Sequence, residues 1–128
     1  MGAISALGSA VYALVDGATT LPAYYATGPQ GTAHPYVIVQ RQAGRDEHTF
    51  TSQGFNADYA VKIVSRDQWP TGATRSYDSL HGGIEGGGTV GVSGYKLLRF
   101  ERQSTIEYRD PDGYWHVGGI YRAEIWEA

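Results

Sequence analysis

The sequence predicts an α+β fold: a four-stranded, largely antiparallel sheet with two helices packed on one face, in the order α-β-β-α-β-β. Apolar residues near the start recur at helical spacing. Later segments are rich in β-branched and aromatic residues, and several alternate apolar with polar positions. Turn-forming residues divide those strands into two hairpins with a second helical stretch between them, the pattern of a two-layer sandwich. At 128 residues the chain has the length of one domain, expected to span residues 1–128. A chain of that size buries roughly two-thirds of its unfolded surface.

The first helix is expected over about residues 3 to 16, where Ile4, Leu7, Val11 and Leu14 form one apolar stripe. Gly17 stands where a left-handed cap would stop it. Residues 18 to 35 read as loop, punctuated by Pro22, Gly28, Pro29, Gly31 and Pro35. "YVIVQRQ", from Tyr36 to Gln42, reads as a strand with both faces partly covered. The polar segment from Gly44 to Gly54 is long for a hairpin connection and reads as a working loop.

In "ADYAVKIVS", Ala57, Tyr59, Val61 and Ile63 share one face while Asp58 and Lys62 point the other way. Tyr77, Leu80, His81 and Ile84 keep helical spacing and predict a short second helix at about 74 to 85. Gly82, Gly83 and Gly86 to Gly88 weaken it by about 1 kcal/mol each relative to alanine. Tyr95 to Tyr108 reads as a long strand with Leu98, Phe100, Ile106 and Tyr108 on one face. Tyr114 to Glu127 reads as the last strand, with Trp115, Val117, Tyr121, Ala123 and Ile125 on one side.

Composition narrows the function classes. The chain has no cysteine, which excludes disulfides, thiolate metal sites and cysteine nucleophiles. A net charge of −3 and the lack of any Lys/Arg run argue against a basic patch that grips nucleic acid. The first residues lack a basic leader region, and their apolar run is too short to span a bilayer. Ala6 stands where a myristoylation signal would need Ser or Thr. The expected setting is therefore the cytosol, with no membrane.

Asp110-Pro111-Asp112-Gly113 is a type I turn signal at the head of a hairpin: an acceptor at i, a preset φ at i+1, and a glycine for positive φ. Two rival readings are weaker. A calcium loop needs an oxygen ligand at Tyr114 and a glycine at Trp115, and has neither. A catalytic pair of Asp110 or Asp112 with His116 lacks a nucleophile or second base fixed nearby in sequence. His34, His48, His81 and His116 share no metal-ligand spacing. "GGIEGGG" lacks the Lys-Ser/Thr ending of a phosphate loop. No catalytic, cofactor-binding or metal residues are expected, and no cofactor.

"HPYVIVQ", "YAVKIVSRD", "LLRFERQ" and "YRDPDGYWHVGGIYRAEIWE" occur in that order. Together they resemble the small tail terminator, or tail-completion, proteins of long-tailed bacteriophages and prophages. The resemblance runs from the first helix to the last strand. It implies a two-helix, four-stranded subunit of a ring, typically hexameric, that caps the tail tube, ends its polymerisation and meets the head connector or head completion protein. Phage DNA would pass through the lumen without specific binding. The implied location is the head-proximal end of the virion tail, with host cytoplasm during assembly.

The glycines from Gly82 onward depart from the continuous second helix of that family. The Gly44–Gly54 loop is expected to carry Arg45, Asp46, Glu47 and Phe50 to a neighbouring subunit or the tail tube, unless it is simply a solvated mobile loop. Tyr114, Trp115 and Trp126, with Tyr95 and Tyr108, are strand aromatics available for interfaces or for ordinary core packing. The alternatives to a ring subunit are a small α+β enzyme or ligand-binding domain, an adaptor that binds by strand addition, and another head–tail joining protein.

Overall fold

The structure is a computed structural model and describes residues 3–26, 35–48, 53–86 and 94–127. The elements are α1 (Ala3–Ala18), β1 (Ala23–Tyr25), β2 (Tyr36–His48), β3 (Gln53–Ser65), α2 (Thr71–Gly86), β4 (Tyr95–Arg109) and β5 (Trp115–Glu127). They form an α+β molecule with one mixed sheet in the order β1-β2-β3-β5-β4. β2–β3 and β4–β5 are antiparallel hairpins, joined through antiparallel β3–β5.

Several expectations need correction. The sheet has five strands, not four. The extra strand, β1, lies within the expected loop and pairs in parallel with β2 at Val37 to Val39. Three residues are too few to show a period, so only the neighbouring strand reveals this one. It ends at Tyr25, and the next residue, Ala26, has φ +71° and donates from its amide to the Val39 carbonyl at 2.7 Å.

The Gly44–Gly54 segment is mainly strand: β2 continues to His48 and β3 starts at Gln53, so Arg45 pairs with Asn56, Asp46 with Phe55 and Glu47 with Gly54. Polar residues form strand here because the ladder satisfies their backbone whatever their side chains prefer. Phe50 lies outside the described residues. Gly17 does not cap α1, which runs on to Ala18.

α2 is a continuous 16-residue helix, not a short broken one. Ala73, Tyr77, Leu80 and Ile84 are buried along one stripe. Each such large side chain contributes roughly 1.5–3 kcal/mol by leaving water, enough to outweigh a glycine's propensity cost. Gly83 also serves packing, because a Cβ there would press on the Ala18 backbone of α1 at 3.0 Å.

The core lies between the helices and one sheet face. Leu7, Val11 and Val15 of α1 meet Val37 and Val39 of β2, and Tyr59, Val61 and Ile63 of β3. Leu14 is only half-buried, so the stripe of α1 turns slightly from the expected line toward Val15. On β4 the expected single face is split. Phe100 stacks on Tyr121 at 5.1 Å on the helix side, whereas Tyr108 stacks on His116 at 4.6 Å on the other. The register irregularity between Arg102 and Ser104 exchanges the faces.

Gly119 sits under α2, and a Cβ there would collide with the Tyr77 hydroxyl and come within 2.9 Å of Arg102 Cδ. Gly82 has open space around its Cβ position. Gly119→Ala is expected to lower stability by about 1–3 kcal/mol. Gly82→Ala should raise it by about 1 kcal/mol. Urea melts of both variants check the opposite signs.

Candidate functional site

Polar and aromatic groups concentrate at the end of the sheet where β4 turns into β5. Asp110 organises this turn. Its Oδ1 accepts from the backbone amides of Asp112 at 3.0 Å and Tyr114 at 2.9 Å, and its Oδ2 lies 2.8 Å from His116 Nε2. The Gly113 amide donates to the Asp110 carbonyl at 3.0 Å, and Gly113 has φ +88°. The bond from His116, then those from the Tyr114 and Asp112 amides, hold the Asp110 carboxyl below its ordinary value. Asp112 contributes its backbone alone to this network.

Of the two carboxylates the sequence offered as partners for His116, the structure pairs Asp110 with it. Strand pairing places Tyr108 opposite His116, so the turn's first carboxylate reaches back to the same face. His116 is nevertheless sealed: its ring is stacked on Tyr108, its Nε2 is engaged, and its Nδ1 is buried without a partner. Lys62 donates to the Tyr108 hydroxyl at 3.1 Å. An imidazole held this way stiffens a turn and leaves neither nitrogen free to exchange protons with a substrate.

Around this network stand further aromatics. Tyr114 is half-buried with the Arg66 guanidinium 5.2 Å from its ring centre, and half-buried Trp115 donates from Nε1 to the Gln68 carbonyl at 3.4 Å. Burial, with Tyr114 and Asp110 nearby, raises the pKa of Tyr36. The sequence reading passed over Trp69, which is 68% exposed in the connection from β3 to α2 and is the most open large apolar side chain described. Its signal was the pair Trp69-Pro70 in a turn ahead of a helix, where an aromatic has no core to enter. Tyr108 is 44% exposed beside the turn, and Tyr25 is equally exposed on β1.

At the opposite end Trp126 lies across Gly54, whose Cβ position is 2.7 Å from the indole, and donates from Nε1 to Glu124 at 2.9 Å. Arg45, Asp46 and Glu47 occupy adjacent rungs of β2 at this end, so the structure does not bring them together with Tyr114 and Trp115. Between the ends, Asp58 and Arg122 form a two-pronged ion pair across β3 and β5 at 3.0 and 3.4 Å.

Beneath α2, the hydroxyls of Tyr77 and Tyr121 are 2.7 Å apart. His81 Nδ1 lies 2.7 Å from the Tyr121 hydroxyl, and its Nε2 2.8 Å from Glu85. Burial raises the pKa of Tyr121 further. Among the described residues, no three His, Asp or Glu side chains group as a metal site. An open groove of about 740 Å³ between α1 and β1 is lined by Ser5, Ser9, Tyr12, Tyr24, Tyr25 and Arg41. No Asp, Glu, His or Lys is among its described lining residues.

The family model described as "Tail completion protein gp17" matches residues 5–125. No curated protein matches the sequence. Among solved structures, a chain of the "Virion of native gene transfer agent (GTA) particle" shares the fold with a TM-score of 0.66 at 18% identity, over 91% of this chain and 84% of that one.

Asp110 titrates below its ordinary 3.8 in the folded chain. Its bonds therefore stabilise the turn above that pH and are lost as pH falls through the lower folded value. Asp110→Asn is expected to lower the melting temperature at neutral pH and to flatten its decline as pH falls below the ordinary carboxylate value of 3.8, measured by circular dichroism.

Proposed function

This chain belongs to the family of tail completion protein gp17, and we propose that it closes into a ring, a hexamer as the resemblance implies, at the head-proximal end of the phage tail. It is a structural protein of the virion tail and not an enzyme. The ring caps the tail tube, ends polymerisation of the tube protein, and offers its other face to the head connector or head completion protein. Assembly takes place in the host cytoplasm, and DNA passes through the lumen without specific binding. Residues 1–128 act as a single domain in this role.

The observation that carries this reading is the family match across residues 5–125. The chemistry of the fold agrees with it. The described imidazoles of His81 and His116 are engaged in internal networks, while Trp69 and Tyr108 face outward at one end. Large exposed aromatics are the usual anchors of protein contacts. The net charge of −3 suits a conduit that must release its polyanionic cargo. Tyr114 and Trp115 frame the same aromatic end and serve that contact, whereas Arg45, Asp46, Glu47 and Trp126 serve a contact at the opposite end; Phe50, outside the described residues, is proposed to join a contact with a neighbouring subunit or the tail tube.

Light scattering of the concentrated protein is expected to give a mass several times 13.9 kDa. Tails assembled without the protein should lose length control in electron micrographs; tails of normal, uniform length would overturn the capping role. Trp69→Ala should leave stability within about 0.5 kcal/mol yet impair joining of tails to heads, read as fewer complete particles at unchanged protein level.

A further inference from the structure

We propose that copies of this chain join edge to edge, the outer edge of β4 in one copy pairing antiparallel with the distal half of β2 in the next. The inference rests on the ring reading above and names the contact that closes the ring. β4 is the last strand of the sheet, 15 residues long, and Glu101 to Thr105 are exposed. On the far side, β1 covers β2 only at Val37 to Val39. From Gln40 to His48 no described strand flanks β2 on that side, and Gln40, Arg41 and Gln42 are exposed. Among the described residues, each molecule thus presents two sheet edges with no strand laid along them, and neither contains proline. Such edges are templates for another strand.

Direction and register favour a second copy as that strand. β2, β3, β5 and β4 alternate in direction, because each adjacent pair is antiparallel. A copy related by rotation about an axis along the strands therefore presents its β2 antiparallel to β4. This contact is heterologous and repeats around a ring, whereas β4 against β4 would stop at a dimer. β2 carries a register irregularity between Arg41 and Ala43, at nearly the level of one in β4 between Arg102 and Ser104; β4 carries a second between Leu97 and Arg99.

Charge sets the stagger. The ladders place Glu47 level with Lys96, Arg45 with Arg99, and Ala43 with Glu101. Without stagger, Arg45 of one copy would stand opposite Arg99 of the next. A closed, tilted sheet requires a stagger. A shift of two rungs sets Glu47 opposite Arg99 and Arg45 opposite Glu101. Opposite charges then meet at both rungs.

The chain has no cysteine, so introduced pairs report cleanly. A disulfide demands close, directed Cβ atoms and so reads individual rungs. R45C/E101C and R45C/R99C are oxidised mildly and run without reductant, after circular dichroism has shown that they fold like the parent. The expected result is a ladder at multiples of 13.9 kDa, absent from R45C, R99C and E101C alone and strongest in R45C/E101C. A ladder strongest in R45C/R99C still supports the edge pairing and corrects the stagger. Covalent dimers from E101C or R99C alone would mean that β4 pairs with itself, and would overturn the proposal. A multimeric mass by light scattering with no ladder from either pair would overturn the edge contact and leave the ring reading standing. A monomeric mass with no ladder would overturn the edge contact as well, and micrographs of tails then decide the ring reading separately.

Discussion

The pairing of β3 with β5 is the constraint from which the rest of the molecule follows. It runs without interruption from Gly54–Trp126 to Ser65–Trp115, and it joins two hairpins that would each be marginal alone in water. Once joined, they present one apolar face broad enough to bury stripes from both helices. Tyr59 and Tyr121 face each other across this ladder, and both are fully buried. Burial pushes both hydroxyls to raised pKa values. The Tyr121 hydroxyl is answered by Tyr77 and His81 of α2. This bond network orients the helix that the apolar contacts attract, since an unanswered buried hydroxyl would cost about 1–3 kcal/mol.

That central pairing also decides what lies outside. With β3 and β5 in the middle, β4 becomes an edge and, among the described residues, β2 is covered on its far side only by the three residues of β1. A structural protein of a virion tail meets other proteins of the particle, and the fold offers distinct surfaces in fixed relative positions. These are two edges and two ends. One end carries the Asp110 turn with Trp69 and Tyr108. The other carries the β2–β3 hairpin and Trp126.

The chemistry of the turn is geometric. Asp110 resembles a catalytic carboxylate in its contact with an imidazole, but the bonds that lower its pKa also remove its freedom to act as a base at neutral pH. Two are backbone amides that the turn must satisfy in any case. His116, clamped by Tyr108 and Asp110, extends the same cross-strand bracing. The buried ionisable groups of this protein stiffen it, which fits a part that others dock against.

The sequence by itself determined the α+β class, both helices, the four long strands and the residues of the hairpin turn. These follow from periodicity and local turn chemistry, which act within a few residues. It also carried the family's ordered segments, and so the tail assignment. Only the tertiary structure decided the features that depend on a distant neighbour. β1 exists because β2 lies beside it. α2 passes through its glycines because Tyr77, Leu80 and Ile84 find a core and Gly83 finds α1. Ile106 and Tyr108 part company with Phe100 because a bulge in β4 is set against β5. Trp69 is left in solvent because α2 begins just beyond it, and Asp110 meets His116 because register folds them onto one face. Pairing across dozens of residues leaves no local period in the text, so contacts of this kind become visible only when the strands are side by side.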